Sequence, residues 1–452
     1  HLAGVNKQRV RPRLTDRARD AMKIKSENIS IILTMLIVAH LTARADSALT
    51  SDPDTPIWAT TWATANKTIS AFDAPLPNIN NATLRQVVRI SRGGLKVRVS
   101  FTNEFGDRPL SINEAHIAKR DHGAAIIRGS SEPLTFSGAT TIVIPPGARC
   151  VSDPVDMAVV DHAELVISTY LPDDITGSES PVTYHVRALQ TNYIAAGNRS
   201  GANDFANFET TTAWHFLANV DVANSSLSPV IAMLGDSITD GDQQVAPNEP
   251  IDLNARYPDL LSEAINASGK AASVVNLGIS GHQVLQVGQS PAERIRRHVL
   301  SLSGVTHIVY LEGINDIGFP VLMSALGSPT PTNSAAKIIA GHQQLIRHAK
   351  DAGLFIIGGT LTPSGGSALP GYHGATAEKK RQQINAWIRN SGAYDAVIDF
   401  DAALADPENP TIMRADLTAD GLHPNVKGYQ VMAQTALIAI NKMIPNKRNE
   451  AH

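Results

Sequence analysis

Two hydrophobic rhythms divide the chain. From about residue 55 to 225, short β-branched and apolar runs recur between turn signals, with no sustained 3.6-residue period. Leu95-Lys96-Val97-Arg98-Val99-Ser100-Phe101 alternates apolar and polar positions, the period-two mark of a half-buried strand. Leu84–Ile90 forms a strand before it, and the intervening Arg92-Gly93-Gly94 predicts a tight hairpin between the two. Thr141–Ile144, Ala163–Leu171 and Val182–Leu189 add further strands, so this half is expected to be a β-sandwich.

Beyond a Ser/Asn-rich connection at Asp221–Pro229 the rhythm changes. Apolar runs of strand length alternate with helical stretches: Val230–Leu234 then Pro258–Ala267, Ala272–Leu277 then Ala292–Leu300, His307–Leu311 then Ala335–Ala352. Leu354–Gly358 with Ala377–Asn390, and Ala396–Phe400 with Tyr429–Met443, complete the series. Continuous apolar runs separated by helices predict parallel strands covered on both faces, with chemistry at their carboxyl ends.

A chain of 452 residues exceeds one ordinary core, which agrees with two domains. The only cysteine, Cys150, excludes an intrachain disulfide and any cysteine-cluster metal site, and reads as a packed, inert thiol. The net charge of −3 is unevenly spread. Residues 1–45 hold nine Lys/Arg against three acids, which leaves a body near −9. From Met22 there follow Lys23 and Lys25, an apolar run Ile31–Leu41, and a small-x-small site at Ala43-Arg44-Ala45. That is the layout of a signal peptide (22–45), with upstream sequence before it and cleavage expected near Ala45; the run is too short to span a bilayer. The expectations are export, no stable membrane insertion, and no binding of nucleic acid by an acidic body.

Four motifs fall at the ends of the predicted parallel strands. Gly235-Asp236-Ser237-Ile238 puts a serine just past the first strand, where its Oγ can be offered for attack; the pair Asp236-Ser237 alone would read better as a helix cap. Asn276-Leu277-Gly278-Ile279-Ser280-Gly281 lets backbone N–H groups approach developing negative charge, or makes an ordinary turn. Gly313-Ile314-Asn315-Asp316 supplies an uncharged amide donor. Asp420-Gly421-Leu422-His423 spaces a carboxylate and an imidazole so that they can meet, which favours His423 as base over His215, His282 and His373.

In this order across one α/β half, these motifs resemble the SGNH, or GDSL-type, hydrolase superfamily, over about residues 229–445 with Ile238 in place of the usual Leu. The resemblance implies a flavodoxin-like three-layer αβα catalytic domain at 227–452, preceded by an all-β sandwich domain at 46–226. It implies Ser237, His423 and Asp420 as catalytic residues, and an oxyanion hole from Ser237, Gly281 and Asn315. The strand-rich half, through Arg85–Arg89, Asn103–Leu110 and Ala188–Tyr193, is similar to the sandwich of secreted bacterial, carbohydrate-esterase-like members. The expected reaction is hydrolysis of short-chain esters, with a small ester or an acylated carbohydrate as substrate and no metal or cofactor. The expected location is extracellular or periplasmic.

The rivals are an acyltransferase using the same residues and a carbohydrate- or surface-binding protein carried by the β half. No serine has the Gly-x-Ser-x-Gly pattern of an α/β-hydrolase, and no His-Glu-x-x-His zinc motif occurs. The loops Asp242–Tyr257, Gly318–Thr332 and Thr362–Thr376 are expected to wall the pocket.

Overall fold

The computed structural model describes residues 56–70, 73, 75–177, 180–224, 228–242, 250–286 and 289–444. The leader and the first part of the loop after Asp242 lie outside the described residues. Ile57–His452 forms one compact unit.

Its strand-rich part holds two main antiparallel sheets. One runs Ile57–Ala63, Leu217–Asn224, Lys96–Thr102, Arg149–Val151 in spatial order; the other runs Phe208–Thr211, Asn192–Ala196, Asn80–Arg89, Glu164–Asp174, Glu114–Lys119, Glu132–Pro133. Alternation places Val97, Val99 and Phe101 of the first sheet and Leu84, Val88, Leu165 and Ile167 of the second in a single apolar cluster, as in a sandwich.

The expected hairpin does not form. Asn80–Arg89 pairs with Glu164–Asp174 and Asn192–Ala196, whereas Lys96–Thr102 pairs in the other sheet with Leu217–Asn224. Gly93-Gly94 is a corner between sheets, and its glycines serve close approach: a Cβ at Gly93 would lie 2.2 Å from the Val159 carbonyl oxygen. The local Gly-Gly signal marks the chain reversal correctly and says nothing about which strands meet.

Among the described residues the second half contains five parallel strands: β1 (Val230–Gly235), β2 (Ser273–Gly278), β3 (Val305–Leu311), β4 (Phe355–Gly359) and β5 (Ala396–Ile398). Their spatial order is β2-β1-β3-β4-β5. Helices Tyr257–Ala267 and Val426–Ile440 pack on each other, and Ala335–Asp351 packs on Ala375–Asn390, giving the layers of an αβα domain. β1 is buried throughout, which explains its continuous apolar run. The order reverses between β1 and β3, so the crevice at their carboxyl ends is the expected ligand position of an open α/β sheet.

The two halves are joined by more than a linker. Strand Ile57–Ala63 packs along β2, and its Ala59 and Ala63 belong to the core cluster of the αβα half. Asp221, expected at the start of the connection, lies inside strand Leu217–Asn224 and is buried. It accepts hydrogen bonds from Thr60 Oγ1 (2.8 Å) and Asn219 Nδ2 (2.7 Å) of the strand-rich half and from Ser303 Oγ (2.8 Å) of the other, and pairs with Arg98 at 2.9 Å. Replacing Asp221 with Ala strands those donors, so Asp221→Ala is expected to lower the unfolding free energy by about 3 kcal/mol in urea titration.

Candidate active site

The carboxyl end of β1 runs directly into a short helical turn, Ser237–Asp240, whose N-cap Asp236 accepts the Ile238 N–H at 3.0 Å. Ser237 is thereby the first residue of the turn, beside the crevice between β1 and β3. A Cβ at Gly278, the last residue of β2, would lie 2.2 Å from the Asp240 nitrogen, so glycine lets this turn sit against the end of the neighbouring strand.

Asp420 and His423 arrive from a loop just ahead of helix Val426–Ile440, which Asn425 caps through the Gly428 N–H at 3.0 Å. Asp420 Oδ1 accepts the N–H groups of Leu422 (2.9 Å) and His423 (2.8 Å), closing the loop on itself. Its Oδ2 lies 2.7 Å from His423 Nδ1, and His423 Nε2 lies 2.9 Å from Ser237 Oγ. With Nδ1–H donating a hydrogen bond to the carboxylate, Nε2 has its lone pair facing the serine hydroxyl. Burial raises the Asp420 pKa, but the His423 hydrogen bond and charge and the two backbone N–H groups outweigh it and hold the carboxyl below its ordinary value.

Asn315 follows β3. Its Nδ2 donates to the His282 carbonyl at 2.9 Å and its Oδ1 accepts from Tyr372 OH at 2.7 Å, which fixes the amide and leaves the second Nδ2 hydrogen for a ligand. Gly281 sits one residue before His282, in a turn with φ +78°, at the end of β2. The structure therefore brings Ser237, His423 and Asp420 into one hydrogen-bonded chain and puts Gly281 and Asn315 on the adjoining turns at the same end of the sheet.

The rival imidazoles do not meet Ser237 in this structure. His282 Nδ1 is 2.6 Å from Glu312, His373 bonds the Leu369 carbonyl at 3.0 Å, and His215 is buried beside Tyr184.

Sequence reasoning missed three supporting groups. Arg294 is fully buried; it donates to the Gly235 carbonyl at 3.0 Å, to the Leu277 carbonyl, and to Glu312 at 3.2 Å. Glu312 also receives Tyr310 OH at 2.7 Å. The second group, Tyr372, orients Asn315. The third comes from the strand-rich half: His185 reaches Asp240 at 3.0 Å and Arg187 reaches Asp242 at 2.7 Å. Those acids in turn receive the Ser280 N–H (2.9 Å) and hydroxyl (3.1 Å), tying the Ser237 turn to the Gly281 turn. The acids in Glu312-Gly313-Ile314-Asn315-Asp316 were a visible signal of a buried polar cluster; Arg294, Tyr372 and His185 had none.

Residues 233–431 match the sequence model of the GDSL-like lipase/acylhydrolase family. They form a GDSL-like acylhydrolase domain, an ester hydrolase. Among solved structures the chain is similar to a GDSL-like lipase from Bacteroides thetaiotaomicron, at 19% identity over 48% of this chain and 89% of that one, with a TM-score of 0.35. It is also similar to a mutant of an acetylxylan esterase from Geobacillus stearothermophilus, at 20% identity over 50% of this chain and 99% of that one, with a TM-score of 0.36. No curated protein matches the chain.

Two acids of the acylhydrolase domain titrate in opposite senses. Burial pushes Asp316 up to about 7, against the Val284 and Leu285 N–H groups it accepts. Burial would also raise Glu312, but His282, the Arg294 charge and the Tyr310 hydroxyl hold it down at about 2, against an ordinary value of 4.5. A depressed carboxyl stabilises the fold above its unfolded value and loses that contribution as pH falls through the folded one. Glu312→Gln is therefore expected to cost about 3–5 kcal/mol at neutral pH and to show a smaller loss of stability than the parent between pH 4.5 and 2, followed by urea midpoints across pH.

Proposed function

We propose that the protein is a serine esterase that hydrolyses short-chain carboxylic esters, such as acetyl esters of sugars or aryl esters, through an acyl group carried on Ser237. The observation that carries this reading is the unbroken hydrogen-bond chain from Ser237 Oγ through His423 to Asp420. His423 Nε2 takes the serine proton as Oγ bonds to the ester carbonyl carbon. The tetrahedral oxyanion is held by the N–H groups of Ser237 and Gly281 and the amide of Asn315. His423 then returns the proton to the leaving alcohol as the carbon–oxygen bond breaks, and Asp420 stabilises the imidazolium meanwhile. Water repeats the sequence from the other side: it gives its proton to His423, bonds to the acyl carbon, and frees the carboxylic acid and Ser237.

Ser237 is 5% exposed and His423 3%, so little of either residue reaches solvent; the preference for a short acyl group rests on the family resemblance. In this reading residues 227–452 are the catalytic domain and residues 46–226 the sandwich. The basic, apolar and small-residue layout of 22–45 supports export, to the periplasm or beyond, after cleavage near Ala45. Among the described residues no helix is long and apolar enough to cross a membrane.

Ser237→Ala is expected to abolish turnover of p-nitrophenyl acetate, a loss of roughly 10⁴-fold or more, while the far-ultraviolet circular dichroism spectrum is unchanged. Retained turnover would mean that another serine is the nucleophile.

A further inference from the structure

A cavity of about 820 Å³ opens against the turn that carries Gly281 and His282, and the strand-rich half forms its opposite wall. Such a volume accommodates a small ligand of one or two ring units. The cavity adjoins the candidate oxyanion groups: Gly281 lines it, His282 beside it accepts from the Asn315 amide, and Phe319, which also lines the cavity, stands one helical turn beyond Asn315.

The charges on its wall are matched. Lys67 pairs with Asp73 at 2.7 Å, and Arg187 pairs with Asp242 at 2.7 Å. The remaining polar lining is Ser280, Gln283, Gln286 and Gln289 from the acylhydrolase domain and Thr68, Ser70 and Thr212 from the strand-rich half, all neutral, with His282, whose pKa burial lowers and whose Nδ1 is engaged by Glu312. Amides and hydroxyls both donate and accept, which is the capacity that a cluster of ligand hydroxyls requires. Ile69, Leu189 and Phe319 supply apolar surface among them, suited to the C–H faces of a ring. An acyl-chain tunnel would be continuously apolar, and a site for an anionic headgroup would present cations not already committed to carboxylates.

We propose that this cavity binds the alcohol portion of the ester, a neutral and hydroxyl-rich group such as a sugar, and that the strand-rich half supplies one wall of the substrate site through residues 67–70, Asp73, Val186, Arg187, Leu189 and Thr212. The inference rests on the serine-esterase reading and makes the strand-rich half a determinant of specificity for the same site. Thr212 and Ile69 are exposed and stand outside the catalytic machinery, so they can be changed without disturbing it.

The test uses the full chain with Thr212→Trp, which fills the cavity, and Ile69→Glu, which replaces an apolar part of its lining with a charge. kcat/KM is measured on p-nitrophenyl acetate, whose leaving group is small and aromatic, and on acetylated xylo-oligosaccharides and glucose pentaacetate. The expected result is a fall of about tenfold or more on the sugar esters, carried mainly by KM, with p-nitrophenyl acetate within about twofold of the parent. The unchanged aryl ester also reports that the variants are folded. Equal losses on both kinds of ester, no change on either, or a parent enzyme that hydrolyses the aryl ester and neither sugar ester would overturn the subsite. A parent with no turnover of p-nitrophenyl acetate or of either sugar ester would overturn the esterase reading itself.

Discussion

Arg294 carries its guanidinium into a site closed to solvent and binds there the carbonyl oxygens at the ends of β1 and β2 and the carboxylate that follows β3. Those three strand ends lead into Ser237, Gly281 and Asn315 within a few residues. Burying a guanidinium is costly, and the cost is offset only where its donors meet well-placed acceptors. Two carbonyls and Glu312 meet that condition, so the strands are held in the relative register that the motif residues inherit. Glu312 is held in turn by His282 and Tyr310. The candidate site is therefore braced from below, through the sheet, before any contact among Ser237, His423 and Asp420 is considered.

A second set of constraints comes from the side. His185 and Arg187 of the strand-rich half hold Asp240 and Asp242, which hold Ser280. Asp221 joins the same two halves some distance away, between strand Leu217–Asn224 and Ser303. Together with the packing of Ile57–Ala63 along β2, these contacts build the strand-rich half into the catalytic half as a supporting wall. That arrangement differs from a binding module on a flexible tether, where few contacts cross the boundary.

The α/β half was legible because fully buried parallel strands leave continuous apolar runs, and helices between them leave a different period. Asp420 and His423 were legible because both lie in one short loop, where spacing alone brings the groups together. Ser237, Gly281 and Asn315 were readable as strand-end motifs and acquired roles through resemblance to a family. The corner at Gly93-Gly94 was misread because a turn signal is local, while the choice of partner strand is decided by distant residues. Arg294, Tyr372 and His185 left no trace for the same reason: Tyr372 meets Asn315 across 57 positions and His185 meets Asp240 across 55. In each case an isolated polar residue in the sequence becomes structural only through tertiary contact.

In the proposed mechanism Ser237 alone, activated by His423, becomes covalently acylated. Intact-mass measurement after treatment with diisopropyl fluorophosphate, followed by peptide mapping, tests it without reference to any natural substrate. One adduct per chain is expected, on the peptide containing Ser237, and none after unfolding in urea. An adduct on a different serine, or an active enzyme that takes up no label, would contradict it.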